Sequence, residues 1–182
     1  QWLHNRLNGE EYGGLVNFYS THVPQGHEMQ KFLPEGTPCA GMYVVPSFTS
    51  SVNHSQTIVG YNDSICWDYN GDGRYTNDVD INGDGRVDVK DWEIGGVIFC
   101  NTFGTGFSNG GYCFLPYKKL AELPATGGIW NSCVYVVNVK DPVFPQITYK
   151  ATIEHTCRGE IKLTAGVASN PAATEPEHTL EF

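Results

Sequence analysis

A mainly β fold, arranged as a sandwich or jelly-roll-like domain with a few small helices, is what this sequence predicts. Short β-branched and aromatic runs recur along the 182-residue chain between clusters of Gly, Pro, Asn and Ser. Sustained helical periodicity is scarce, and the 6 cysteines are dispersed singly, as in a framework of about three disulfides. Aromatic residues at 13% and charged residues at 17% exclude an intrinsically disordered acidic tail.

In chain order, the alternating runs predict strands over residues 14–20, 42–48, 56–61, 96–100, 111–115, 133–139, 146–157, 160–167 and 179–182. Helix is expected over 2–7, over 89–94, and over 117–123, where Pro124 stops it. Residues 104–111 are Gly-rich but lack the Gly-Lys-Ser/Thr ending of a phosphate-binding loop, and read as a hairpin or surface loop. Residues 168–177 are polar and Pro-containing. Hence 1–167 reads as a single β-rich domain and 168–182 as a linker with a strand-like tail.

The chain carries 20 Asp plus Glu against 11 Lys plus Arg, a net charge of -9, and its only adjacent basic pair is Lys118-Lys119. That balance excludes nucleic acid as a partner. No apolar run approaches a membrane span. Cys39, Cys66, Cys100, Cys113, Cys133 and Cys157 include no C-x-x-C pair, so disulfides in an oxidising compartment are expected rather than a zinc ribbon. A start at Gln1 rather than Met reads as a processed N-terminus. Asn53-His54-Ser55 and Asn62-Asp63-Ser64 fit the glycosylation pattern at Asn53 and Asn62. The expected address is extracellular or cell-surface.

The sharpest signal runs from Asp68 to Asp91. There, 7 Asp stand against 3 basic residues, so -4 of the chain's -9 is local. Calcium needs six to eight oxygens, and Asp or Asn at alternate positions around a Gly lets a tight loop aim them inward. Asp80, Asn82 and Asp84 supply positions 1, 3 and 5, Arg86 offers its carbonyl, Asp88 acts directly or through water, and Asp91 closes the loop. Val87 occupies the hydrophobic anchor position. An earlier loop offers Asp68, Asn70, Asp72, the Arg74 carbonyl and Thr76, with Val79 at position 12 and Asp78 one residue early as its closing carboxylate. One calcium ion is expected in the second loop and another in the first.

The second loop resembles one half of a dockerin repeat, the EF-hand-like module of secreted bacterial and archaeal proteins, with the ligands falling on Asp80, Asn82, Asp84, Asp88 and Asp91. The two loops are adjacent with no helix after the first, so residues 68–94 read as a calcium-stapled insertion serving rigidity rather than cohesin docking. Residues 153–163, Ile-Glu-His-Thr-Cys-Arg-Gly-Glu-Ile-Lys-Leu, are similar to a hairpin of P domains, the jelly-roll modules that follow the catalytic domain of subtilisin-like proprotein convertases. That resemblance implies a turn at Arg158-Gly159 between two antiparallel strands.

Catalytic patterns are lacking in the sequence. His4, His22, His27, His54, His155 and His178 form no H-E-x-x-H, and Pro24 and Gly26 separate His22 from His27. There is no G-x-S-x-G elbow. Glu10, Glu11, Glu93, Glu122, Glu154 and Glu160 are carboxylates that a glycoside hydrolase would need to pair in space. Trp2 and Trp130 suit stacking on sugar rings, whereas Trp67 and Trp92 flank the acidic loops and are expected to pack there. The function that follows is a non-enzymatic structural subunit of a surface filament or pilus-like polymer. Its partners are copies of itself, joined by strand addition through residues 179–182 or 1–7. A glycan-binding adhesive module is the alternative, and a small secreted hydrolase the third reading.

Overall fold

The computed structural model describes residues 2–7, 13–23, 26, 28–137, 148 and 150–181, so Gln1, Glu10, Glu11, His27, the end of the strand expected over 133–139, residues 146, 147 and 149 of the next, and Phe182 lie outside the described residues. The chain divides into two compact units, Gln1–Lys140 and Asp141–Phe182. The position read as a boundary from the sequence, after Val167, lies within the second unit, where Thr164–Val167 pairs with His178–Glu181.

Among its described residues the first unit is built on one mixed sheet of 7 strands, where two facing sheets were expected. Helix α1 (Trp2–Leu7) precedes β1 (Val16–Ser20), β2 (Lys31–Phe32), β3 (Tyr43–Val44) and β4 (His54–Cys66). Then come β5 (Ile94–Cys100), β6 (Tyr112–Pro116), helix α2 (Tyr117–Ala121) and β7 (Tyr135–Val136). The spatial order is β2-β3-β6-β5-β4-β1-β7. Among the described residues only β3 and β6 run parallel.

Alternation decides which face is core. Val16 and Phe18 of β1, Ile58 of β4, Val97 and Phe99 of β5, and Cys113 and Leu115 of β6 are buried in one cluster. Loop residues Val23, Met29, Val45, Phe48, Phe107 and Ile129 cover them. Coil therefore does the work expected of a second sheet. Leu33, Val44, Ile65 and Phe114 form a smaller cluster, against which Trp67 and Ile98 pack.

Most expected strands form, with β4 extended at both ends and kinked where its register to β5 shifts between Ile58 and Gly60 and between Asn62 and Cys66. Lys31–Phe32 was missed because a two-residue strand leaves no period to read. The Gly-rich residues 104–111 do connect the antiparallel pair β5 and β6. The helix expected over 89–94 is only a 3-10 turn, Val89–Asp91, since Trp92 turns extended (φ -70°, ψ 129°) and Ile94 begins β5.

All 6 cysteines are free thiols, where disulfides were expected. Strand register explains one pair: Phe99 lies opposite Cys113 and Cys100 opposite Tyr112, so the two thiols project to opposite faces. Cys113 is fully buried, and burial pushes its thiol up to about 12.

In the second unit, β8 (Thr164–Val167) pairs antiparallel with β9 (His178–Glu181). The strand expected over 179–182 is therefore paired within its own unit. Arg158–Glu160 is a 3-10 turn closed by Glu160 N–H donating to Cys157 O at 3.2 Å. Neither the described residues of 148–157 nor residues 161–163 form a strand, so the two antiparallel arms expected around Arg158-Gly159 are not seen.

Candidate functional site

The acidic segment is the connection between β4 and β5. Its base is shut by Cys66 lying opposite Ile94 and by Trp67 N–H donating to Glu93 O at 2.8 Å. Two loops with one hydrogen-bond pattern, offset by 12 residues, fill it. In the first, Asp68 Oδ1 and Oδ2 accept the N–H groups of Gly71 (2.6 Å) and Gly73 (2.9 Å). In the second, Asp80 Oδ1 and Oδ2 accept those of Gly83 (2.7 Å) and Gly85 (2.8 Å). Asn70 and Asp72 turn onto the N–H groups two residues on, those of Asp72 and Arg74, as Asn82 and Asp84 do onto Asp84 and Arg86. Gly73 and Gly85 take the sixth position with φ +76° and +84°, a left-handed turn costly for residues with a Cβ.

The loops close on two buried carboxylates. Asp91, 0% exposed, accepts the N–H groups of Ile81 (3.2 Å) and Asn82 (3.1 Å) at Oδ1 and of Asp88 (3.0 Å) at Oδ2. It thereby spans positions 2 and 9 of the second loop. Asp88 in turn accepts Lys90 N–H at 2.8 Å, which completes a reciprocal cap. In the first loop the same two positions are spanned by Glu93, 1% exposed: Oε1 accepts Tyr69 N–H (2.8 Å) and Oε2 accepts Thr76 N–H (3.2 Å). Asp78, expected in that role, is exposed. Glu93 is the residue the sequence reading missed, because it lies beyond the second loop and reaches back across it.

Asn77 fixes Glu93 in place. Its Oδ1 accepts the N–H groups of Glu93 (3.0 Å) and Ile94 (2.9 Å), and its Nδ2 donates to Ile94 O (3.1 Å). Tyr69 anchors the loop from below, donating its hydroxyl to Pro46 O at 3.0 Å, with the ammonium groups of Lys118 and Lys119 5.3 and 5.0 Å from its ring centre. Burial lifts the Tyr69 phenol well above its ordinary value, and the charges of Glu122 and Glu93 add to that. Both lysines are nearly buried and pair with Glu122, at 3.3 Å for Lys118 and 2.5 Å for Lys119. Lys118 also donates to Lys90 O, which ties α2 to the acidic loops. Val87, the expected hydrophobic anchor of the second loop, is instead 50% exposed.

The electrostatics follow this geometry. Backbone N–H donation, led by Gly73, holds Asp68 below its ordinary value against the opposing effect of desolvation. For Asp91 burial pushes upward, but the N–H groups of Asp88, Asn82 and Ile81 and the Lys118 charge outweigh it, and the net direction is down. Both carboxylates are thus held ionised. Among the described residues no group of three or more His, Cys, Asp or Glu side chains is gathered as a metal cluster. The Asp and Asn oxygens of the two loops are turned instead onto backbone N–H groups.

The remaining residues separate. Trp67 and Trp92 do pack beside the loops, Trp92 edge-on to Tyr117 at 6.3 Å. Trp130 is 46% exposed and, with Tyr19, Val52 and Tyr135, lines a groove of about 430 Å³. Asn53 is exposed, its Oδ1 accepting His22 N–H at 2.8 Å, whereas Asn62 is half-buried with Nδ2 donating to Cys39 Sγ at 3.5 Å. His22 meets His54, ring centres 5.0 Å apart, a pair the linear spacing did not suggest. Comparison with protein-family models, curated proteins and solved structures gives no match.

Proposed function

We propose that this chain is an extracellular, non-enzymatic structural protein whose β4–β5 connection is stapled by calcium, and that it serves as a subunit of a surface filament or pilus-like polymer. The observation that carries the reading is the matched closure of two adjacent loops by Asp91 and Glu93, both buried, around Asp and Asn oxygens. Asp80, Asn82, Asp84, Asp88 and Asp91 with the Arg86 carbonyl would hold one ion. Asp68, Asn70, Asp72 and Glu93 with the Arg74 carbonyl would hold the other. Calcium, when bound, supplies the positive charge that the segment's net -4 lacks. Rigidity of a long connection is what an extracellular subunit gains, and the exposed Asn53 acceptor supports that address.

Self-association is supported by β7, an edge of the sheet among the described residues, where Tyr135 and Val136 are 43 and 46% exposed and the flanking Val134 and Val137 are 46 and 81% exposed. An edge of this kind can add a strand from a neighbouring copy. Calcium titration by calorimetry should give two sites. At 100-fold excess over Kd each site adds about 2.7 kcal/mol, so EDTA should lower the thermal midpoint by roughly 5–10 °C per site. An unchanged midpoint sinks the staple. Negative-stain microscopy with and without EDTA tests the polymer, and a chain that stays monomeric at high concentration sinks that part alone. The aromatic groove formed by Tyr19, Trp130 and Tyr135 favours glycan binding as the second reading. Glycan-array binding lost in Trp130→Ala would promote it.

A further inference from the structure

His22 and His54 stand apart from the acidic loops as a pair, with ring centres 5.0 Å apart and ring planes at 62°. The backbone sets that spacing. His54 opens β4 opposite Ser20, the last residue of β1, and His22 follows two residues on. The His22 N–H donates to Asn53 Oδ1 at 2.8 Å, while the Asn53 N–H donates to Ser20 O at 3.1 Å. The His54 ring is oriented by Asn101, which is buried. Asn101 Oδ1 accepts the Thr102 N–H at 2.8 Å and Asn101 Nδ2 donates to Val23 O at 3.4 Å, so the amide atom 2.8 Å from His54 Nε2 is an oxygen. Nε2 therefore carries the proton, and in the neutral ring Nδ1 keeps its lone pair. Among the described residues nothing donates to Nδ1, and no hydrogen bond holds the half-buried His22 ring, which is free to turn. No carboxylate of the described residues forms an ion pair with either imidazole. Phe103 lies against both rings, its centre 5.0 Å from that of His22 and 6.3 Å from that of His54.

We infer that His22 and His54 together bind a zinc ion, His54 through Nδ1 and His22 through one ring nitrogen, with water at the remaining positions. Imidazole nitrogen is a ligand that suits zinc. With metal–nitrogen bonds of about 2.0–2.1 Å, two imidazoles on one tetrahedral ion have ring centres about 5 Å apart. That is the separation of this pair. The hydrogen bond from His54 Nε2 to Asn101 is the outer-shell contact that fixes tautomer and orientation in a ligating histidine. Calcium takes oxygen ligands and has no use for a pair of nitrogens, so this site is chemically distinct from the acidic loops.

The test uses the full chain, uniformly labelled with nitrogen-15, and follows the histidine ring nitrogens by NMR while zinc chloride is added. Because the two rings are themselves the readout, zinc taken up by free thiols or by the acidic loops does not enter it. Before zinc, the His54 ring should show its proton on Nε2. Zinc should then shift His54 Nδ1 and one His22 nitrogen along a single saturation curve, with the Nε2 proton of His54 retained. In His22→Gln the His54 response should be lost, and in His54→Gln the His22 response should be lost. A His54 proton on Nδ1 in the neutral ring overturns the inference. So do rings unmoved up to millimolar zinc, two rings that respond with different midpoints, or a His54 response that survives in His22→Gln. The first three outcomes are read on the wild-type chain and stand even where a variant fails to fold.

Discussion

The Glu93 carboxylate receives the backbone N–H of Tyr69 at 2.8 Å across 24 residues of chain, and it does for the first acidic loop what Asp91 does for the second. Glu93→Gln keeps the shape but turns one oxygen into an NH₂ group, so one of the two N–H groups it holds would face another donor. Hydrogen bonds to a buried charge are worth about 1.5–3 kcal/mol. Glu93→Gln should therefore destabilise the metal-free chain by about 2–3 kcal/mol in urea unfolding and remove one calcium from the calorimetric stoichiometry. Asp78→Asn should change stability by less than about 0.5 kcal/mol. The opposite ranking would return the closing role to Asp78.

How much of this was legible follows from the distance over which each signal acts. The repeated Asp-x-Asn-Gly-Asp-Gly runs are local, and both loops turn where the spacing placed them. Closure is not local: Val79 stands at the twelfth position of the first loop, and the buried carboxylate comes from Glu93, positioned by Asn77. Strands β1, β4, β5 and β6 carry enough alternation to be seen, but whether a second sheet or coil covers them is decided by loop residues such as Val23, Phe48 and Phe107. Those residues have no period. The tail strand was visible at 179–182, yet its partner, Thr164–Val167, lies in its own unit.

Acid should unfold the metal-free chain earlier than its composition suggests. Asp68 and Asp91 both sit below the ordinary value, Asp68 through the Gly73 N–H first and Asp91 through N–H groups that outweigh its burial. A carboxylate lowered in the folded state contributes stability that is complete above its unfolded pKa, about 4, and is lost as pH falls through the folded value. Thermal midpoints in EDTA should hold between pH 5 and 7 and drop below about pH 4. Asp91→Asn should flatten that acid limb, and a variant tracking wild type down to pH 2 would count against it.

Gly96 shows how tightly β5 is held beside the loops. A Cβ there would meet Ile65 Cδ1 at 2.6 Å and, on the paired strand β6, Leu115 O at 2.6 Å. A backbone oxygen cannot step aside cheaply, so Gly96→Ala should cost about 1–3 kcal/mol. Gly106, on the β5–β6 connection, has nothing within 4 Å of its would-be Cβ. Gly106→Ala should stay within about 0.5 kcal/mol. Urea midpoints of the two variants check the contrast.

Thiol chemistry separates the cysteines by burial. Cys133 and Cys157 are exposed, while Cys113 is fully buried with its thiol raised to about 12 and Cys66 is raised by burial and then by Glu93. The thiolate is the reactive species, and at pH 8 a thiol near 12 has only about one part in ten thousand ionised. Native protein treated with iodoacetamide should therefore label Cys133 and Cys157 within minutes and Cys113 only after unfolding. Peptide mass mapping along the time course reads the order. Labelling of Cys113 at the rate of Cys133 would mean that the β5–β6 core opens on that timescale, and absence of label at Cys133 and Cys157 under denaturing, non-reducing conditions would show that these two sulfurs are bonded.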